Sequence, residues 1–256
     1  MVFNGYSKIG SVQKHILSIL EKRPVHVSLI DPDPSKVTLK QIDRISKLLN
    51  KFGTDAILVG GSDNIENNFV NKFILTIRKN YKSHIILYPG NLEGISKYAD
   101  AILFMTLMNS RNPERIIGMQ ARGSLIIRKF KLEPIPMAYL IVEPGQKVGI
   151  IGEADLIKRN EYERAAQYAL AAQYFGMSMV YLEAGSGADK PVPIKMIKEV
   201  SKNIEIPLIV GGGLRTENDV KERLRAGANI IVTGTILENE DSIKNIEGII
   251  NTIRNY

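Results

Sequence analysis

Eight short runs rich in β-branched and apolar residues recur along the 256 residues, and most are followed by a longer stretch with helical spacing. They are HVSLID (26–31), DAILVGG (55–61), HIILYPG (84–90), AILFMT (101–106), PMAYLIVEP (136–144), SMVYLE (178–183), PLIVGGG (207–213) and NIIVTGT (229–235). A strand that is apolar throughout is buried on both faces, and helices between such strands imply a parallel sheet. Eight strand-and-helix units in one chain point to an α/β fold, a (β/α)8 TIM-type barrel spanning 1–256 as a single domain.

The connecting helices are read from their apolar spacing. The segment 11–22 predicts an extra helix ahead of the first strand. Residues 37–51 place Val37, Leu39, Ile42, Ile45, Leu48 and Leu49 on one face, and 216–225 opens on a Thr216/Asp219 cap and stops at Ala226-Gly227. One connection is too short. Between the third and fourth runs only NLEGISKYAD (91–100) is available, with Gly94 inside it, so the third helix is expected to be shortened or missing, leaving an opening in the outer ring. The long connection 107–135 is expected to supply a helix through Ile116, Ile117, Leu125 and Ile126 and to cover one end of the barrel.

Composition narrows the function classes. With 44% hydrophobic and 24% charged residues the chain is neither disordered nor fibrous. The absence of cysteine removes thiolate metal sites, disulfides and thiol nucleophiles. Lys8, Gln13, Lys14 and His15 interrupt any export signal, and the longest uncharged run, 165–182, holds Gln167, Gln173, Gly176 and Ser178, so a cytoplasmic protein without a membrane span is expected. Thirty-four basic against 27 acidic residues give +7, a balance that suits nucleic acid, an anionic lipid surface or phosphorylated small molecules, or simply a lysine-rich solvated surface. Aromatics are 7% and tryptophan is absent, so nucleic acid is not expected. His15, His26 and His84 adjoin no metal-like spacing; His26 and His84 read as strand starts and His15 as surface. No hydrolase elbow, zinc-protease or nucleotide-loop pattern occurs.

The unusual residues fall at strand ends, which in a barrel meet on one face. Gly212 and Gly213 follow the seventh run, and Gly234 and Thr235 close the eighth, where glycine turns let backbone N–H groups approach a phosphate. After the sixth run come Tyr181, Leu182, Glu183, Ala184, Gly185, Ser186 and Gly187. A carboxylate beside a phosphate turn is repelled unless it binds a hydroxyl of the same ligand, so Glu183 reads as a hydroxyl acceptor or general base. Asp31 after the first run and Ser62 after the second can approach each other, as Mg²⁺ ligands or, with Asp33 and Asp63, as turn and helix caps. Spacing alone leaves those two readings open.

LIDPD (29–33), GGSDN (60–64), NSRNP (109–113) with IIGMQ (116–120), YLIVEPGQKVG (139–149), YLEAGSGA (181–188), VGGGLRT (210–216) and VTGT (232–235) together resemble the geranylgeranylglyceryl phosphate synthases, the archaeal prenyltransferases of ether-lipid synthesis. The resemblance implies Mg²⁺-dependent transfer of a geranylgeranyl group from its diphosphate to the 3-hydroxyl of sn-glycerol 1-phosphate. It implies Asp31 and Ser62 as metal ligands and Tyr181 to Gly187, Gly212-Gly213 and Gly234-Thr235 as the glycerol-phosphate site; for that reaction the catalytic base is expected to be Glu183, the hydroxyl acceptor read above. It also implies a homo-oligomer, dimer or hexamer. The bacterial relatives carry a lysine where Leu29 stands, which places this chain nearer the archaeal enzymes. Tyr88, Tyr98, Phe104, Met108 and Tyr139 are candidates to line the prenyl trough, and the +7 charge fits peripheral contact with a membrane surface. The competing readings are a phosphosugar isomerase or synthase barrel and a non-catalytic phosphate-binding barrel.

Overall fold

The computed structural model describes residues 9–61, 65–234 and 240–256. Eight parallel strands close into a barrel in chain order: β1 (Val25–Ile30), β2 (Ala56–Gly60), β3 (His84–Tyr88), β4 (Ala101–Leu107), β5 (Glu133–Ile141), β6 (Met179–Glu183), β7 (Leu208–Gly211) and β8 (Ile230–Thr233). Side chains alternate across the wall. Val27, Leu58, Ile86, Met137, Met179 and Ile209 fill the barrel, while Ile57, Ile85, Leu140, Val180, Val210 and Ile231 pack outward against the helices.

The helices α1 (Ser11–Leu20), α2 (Leu39–Phe52), α3 (Asn67–Asn80), α4 (Met119–Phe130), α5 (Gln146–Ile151), α6 (Tyr162–Tyr174), α7 (Ile194–Asn203), α8 (Glu217–Arg225) and α9 (Glu240–Arg254) fill the connections. Thr38 with Gln41 and Thr216 with Asp219 form capping boxes, and these fix the starts of α2 and α8. The extra helix α1 closes the N-terminal end of the barrel: Val12 and Ile16 join the inner core, and the Glu133 carboxylate accepts the Val12 and Gln13 amides, each at 2.8 Å.

Two departures from a regular barrel shape the site. After β3 there is only a 3₁₀ turn, Leu92–Gly94, so the third helix is absent as the ten-residue connection predicts. The long connection supplies a π turn, Glu114–Gly118, that runs into α4, and α4 packs on both β4 and the 92–94 turn. One boundary differs from the sequence reading. β5 starts at Glu133 rather than Pro136, although Pro134 and Pro136 cannot donate to a ladder. The Pro136 carbonyl accepts from Ser178, so residues 134 and 136 face β6, which pairs with β5 only from Met137 onward; the side toward β4 keeps its donors.

Candidate active site

A cavity of about 270 Å³ opens at the C-terminal ends of the strands. Its floor is polar: Asp31 after β1, Gly60 and Gly61 at the end of β2, Glu183 ending β6, Ser186, and Gly234 after β8. From that floor it runs outward past Tyr88, Leu103 and Tyr139 to Ile102 and Phe104, and then to Leu92, Ile95, Met119, Gly123 and Ile127. Ile102 and Phe104 sit on the outer face of β4, among the residues that pack against helices elsewhere in the ring. With no helix after β3, these side chains become one wall of a trough and α4 the other.

Glu183 is 5% exposed, and its Oε1 accepts the Gly185 amide at 2.6 Å. The Tyr181 hydroxyl is buried beside it. Burial raises the Glu183 carboxyl above the usual carboxylate range, against the opposing pull of Tyr181 and the Gly185 amide. Tyr181 stacks edgewise on Tyr139 with centroids 5.2 Å apart, and Tyr139 on Tyr88 at 5.7 Å. The three rings form an aromatic layer across the barrel beneath the carboxylate, and burial holds all three phenols protonated.

The predicted phosphate turns interlock around this carboxylate. Gly212 has φ +80°, and a Cβ there would lie 2.2 Å from Glu183 Oε1 and 2.8 Å from the Gly185 nitrogen, so only glycine fits. Arg215 donates to the Gly187 carbonyl at 3.1 Å and ties the β7 turn to the β6 turn. Glu183, Ser186 and Gly234 line the cavity; Tyr181, Gly185, Gly187, Gly212 and Gly213 are not among its walls. Leu182 and Ala184 belong to the outer helix layer and present only backbone to the site. Thr235 lies outside the described residues, as do Ser62 and Asp63.

Asp31 carries the metal question. Its Oδ2 accepts from Lys36 Nζ at 2.8 Å, while its Oδ1 is buried with no hydrogen-bond partner among the described residues. A carboxylate oxygen held at a cavity wall in this way suits a hard cation that takes its other ligands from substrate phosphate and water. Among the described residues no cluster of three His, Cys, Asp or Glu forms a closed metal cage. Asp33 follows the alternative capping reading: its Oδ1 accepts the Ser35 amide at 2.9 Å and hydroxyl at 2.7 Å, which lowers its pKa.

Of the predicted trough residues, Tyr88, Phe104 and Tyr139 line the cavity. Tyr98 is 38% exposed outside it and Met108 packs in the outer core, so neither belongs to the trough. The sequence reading did not single out Lys36, Arg115, Gln120, Gly123 or Lys147, all of which line it. They come from three connections that no local pattern links.

The chain matches the PcrB family over residues 17–254. It is 49% identical over 237 residues to the geranylgeranylglyceryl phosphate synthase of Pyrococcus furiosus, covering 93% of this chain and 94% of that protein. The synthase of Pyrococcus horikoshii is 46% identical over 251 residues, with 98% of each chain covered. Among solved structures, (S)-3-O-geranylgeranylglyceryl phosphate synthase from Thermoplasma acidophilum, in complex with its substrate sn-glycerol-1-phosphate, superposes with a TM-score of 0.91 at 38% identity, over 97% of this chain and 100% of that one. By family match and by fold alike, the chain belongs to the PcrB family.

Proposed function

We propose that the protein transfers a geranylgeranyl group from its diphosphate to the 3-hydroxyl of sn-glycerol 1-phosphate. The observation that carries this is a single cavity in which a carboxylate floor ringed by glycine turns continues into an apolar trough. A phosphosugar isomerase has no use for the trough, and a phosphate-binding protein has no use for a buried carboxylate with a raised pKa. The relatives named above are synthases of this product, and the Thermoplasma structure holds sn-glycerol-1-phosphate.

In this reading the turns after β6, β7 and β8 hold the acceptor's phosphate, and Glu183 accepts a hydrogen bond from its 3-hydroxyl. The trough between β4 and α4 takes the prenyl chain and keeps water away from its allylic carbon. The allylic C–O bond breaks with its electron pair leaving on diphosphate, the hydroxyl oxygen bonds to that carbon, and the hydroxyl proton passes to Glu183. Products are the ether and diphosphate. Asp31, with Ser62, would hold Mg²⁺, which supplies positive charge to the departing diphosphate when bound.

The test is turnover with Mg²⁺, sn-glycerol 1-phosphate and a series of prenyl diphosphates, following an extractable ether product. Product from the twenty-carbon donor, specific to the 1-phosphate and lost in EDTA, is expected. Absence of product from every donor would sink the assignment. Equal turnover in EDTA would remove the magnesium role alone.

A further inference from the structure

The reaction brings two anions, a diphosphate and a phosphate, into one cavity that already holds two carboxylates, Asp31 and Glu183. The glycine turns serve one anion with backbone N–H groups. The other requires cations, and the described residues place three on the wall: Lys36, Arg115 and Lys147. Lys36 is engaged by acid, at 2.8 Å from Asp31 and 3.9 Å from Asp33. The Lys147 side chain makes no hydrogen bond or ion pair among the described residues. Arg115 forms no ion pair among the described residues: its Nη1 lies 3.3 Å from the Met119 sulfur, and the neighbouring Glu114, which its charge also reaches, is paired with Arg122.

Both cations stand where polar floor gives way to apolar trough. Arg115 lies in the turn that leads to Met119 and Gly123, and Lys147 precedes Val148 and Ile151; all four apolar positions line the cavity. A diphosphate esterified to a long chain must sit at that same junction. The two segments are also one scaffold: Ser110 pairs with Ala154, the Arg111 amide donates to the Glu153 carbonyl at 2.9 Å, and the Ser110 hydroxyl donates to the Gly152 carbonyl at 2.6 Å. Strands β1 and β5 lie on opposite sides of the eight-stranded ring, so Lys147, after β5, and Asp31, after β1, reach the same cavity from opposite sides.

We propose that Lys147 and Arg115 form a diphosphate clamp, facing Asp31 across the cavity and binding the donor's leaving group at the head of the trough. This rests on the prenyltransferase reading but concerns the anion alone, so it can be tested without turnover. The leaving group is held by charge-assisted hydrogen bonds from an ammonium and a guanidinium, which strengthen as the C–O bond breaks and charge accumulates on the diphosphate.

The experiment measures binding of inorganic pyrophosphate to purified wild type, K147Q, R115Q and K147R by calorimetry, with melting curves to confirm folding. K129Q, an exposed α4 cation off the cavity wall, serves as control. K147Q and R115Q should each weaken pyrophosphate by about tenfold or more, K147R should recover most of the loss, and K129Q should match wild type. In steady-state assays the KM for prenyl diphosphate should rise with the KM for glycerol phosphate unchanged. Unchanged pyrophosphate affinity in folded K147Q and R115Q, or an effect confined to glycerol phosphate, overturns the clamp. If wild type binds pyrophosphate through these residues but turns over no prenyl donor, the clamp stands and the prenyltransferase reading falls.

Discussion

Burial raises the Glu183 carboxyl above its ordinary range, and a base must be ionised to accept a proton. Activity should therefore decline on the acid side at a pH above that of an ordinary glutamate, because the raised pKa keeps the inert, protonated form populated longer as pH falls. Glu183→Gln should lower kcat by roughly 10²-fold or more with the melting temperature kept, and should abolish that acid limb. A pH–rate profile of wild type and variant checks both, and an unshifted limb in the variant would remove Glu183 as the base. Gly212→Ala forces a Cβ toward Glu183 Oε1 at a φ of +80°, and the expected result is a large rise in the KM for glycerol phosphate, read in the same assay. His26 behaves oppositely to Glu183. Its ring is buried between Thr54 and Thr233 and its pKa falls to about 4, chiefly through desolvation. The unfolded chain takes up the proton below about 6.5, so stability should drain away as pH falls from about 6.5 toward 4, by about 3 kcal/mol in all. His26→Gln should flatten that limb in denaturant titrations at several pH values.

At the scale of elements the trough is made by an omission. The strands and their closure were legible because burial on both faces leaves continuous apolar runs, and the ten residues of 91–100, with Gly94 among them, leave too little chain for a full helix together with the turns that join it to two strands. Glu183 and Asp31 were legible because a barrel gathers strand ends. Arg115, Gly123 and Lys147 were not, since their shared place depends on how α4 leans into the gap and how the 109–115 and 152–155 segments bridge, and neither is a property of local spacing. Tyr98 and Met108 misled for the same reason: their proximity in sequence to the gap says nothing about which way they face. Gly123 gives the element its test. A Cβ there would meet Leu92 and Ile95 at 3.4 and 3.5 Å, ordinary contact, so Gly123→Ala should be tolerated and gain roughly 0.5–1 kcal/mol of stability from helix propensity. Gly123→Phe should instead block the trough, shifting the preferred donor to shorter chains in a competition assay. An unchanged chain preference in folded Gly123→Phe would place the chain elsewhere.

At the scale of the molecule, charge and exposed apolar side chains fall near the cavity. Ile150 is 80% exposed and Ile117 59%, and each belongs to a short segment that contributes a cation to the cavity wall. With +7 overall, co-sedimentation with anionic vesicles at low salt should exceed that with neutral vesicles, and equal binding to both would dismiss a membrane role. The gap after β3 has a consequence for the whole barrel. β3 and β4 share a register only from Ile86–Ala101 to Leu87–Ile102, whereas β4 and β5 run together from Ala101–Glu133 to Leu107–Tyr139. A pairing as short as that of β7 and β8 thus borders the missing helix, and a bound prenyl chain would lie against the outer face of β4 much as a helix does in the other units. An unreactive donor analogue should slow amide exchange over 85–88 and 101–104 and raise the melting temperature more than glycerol phosphate does at equal saturation. Each catalytic cycle would then alternate between a sealed barrel and a loosened one, with the protein at its most fragile in the interval between releasing one lipid and taking up the next.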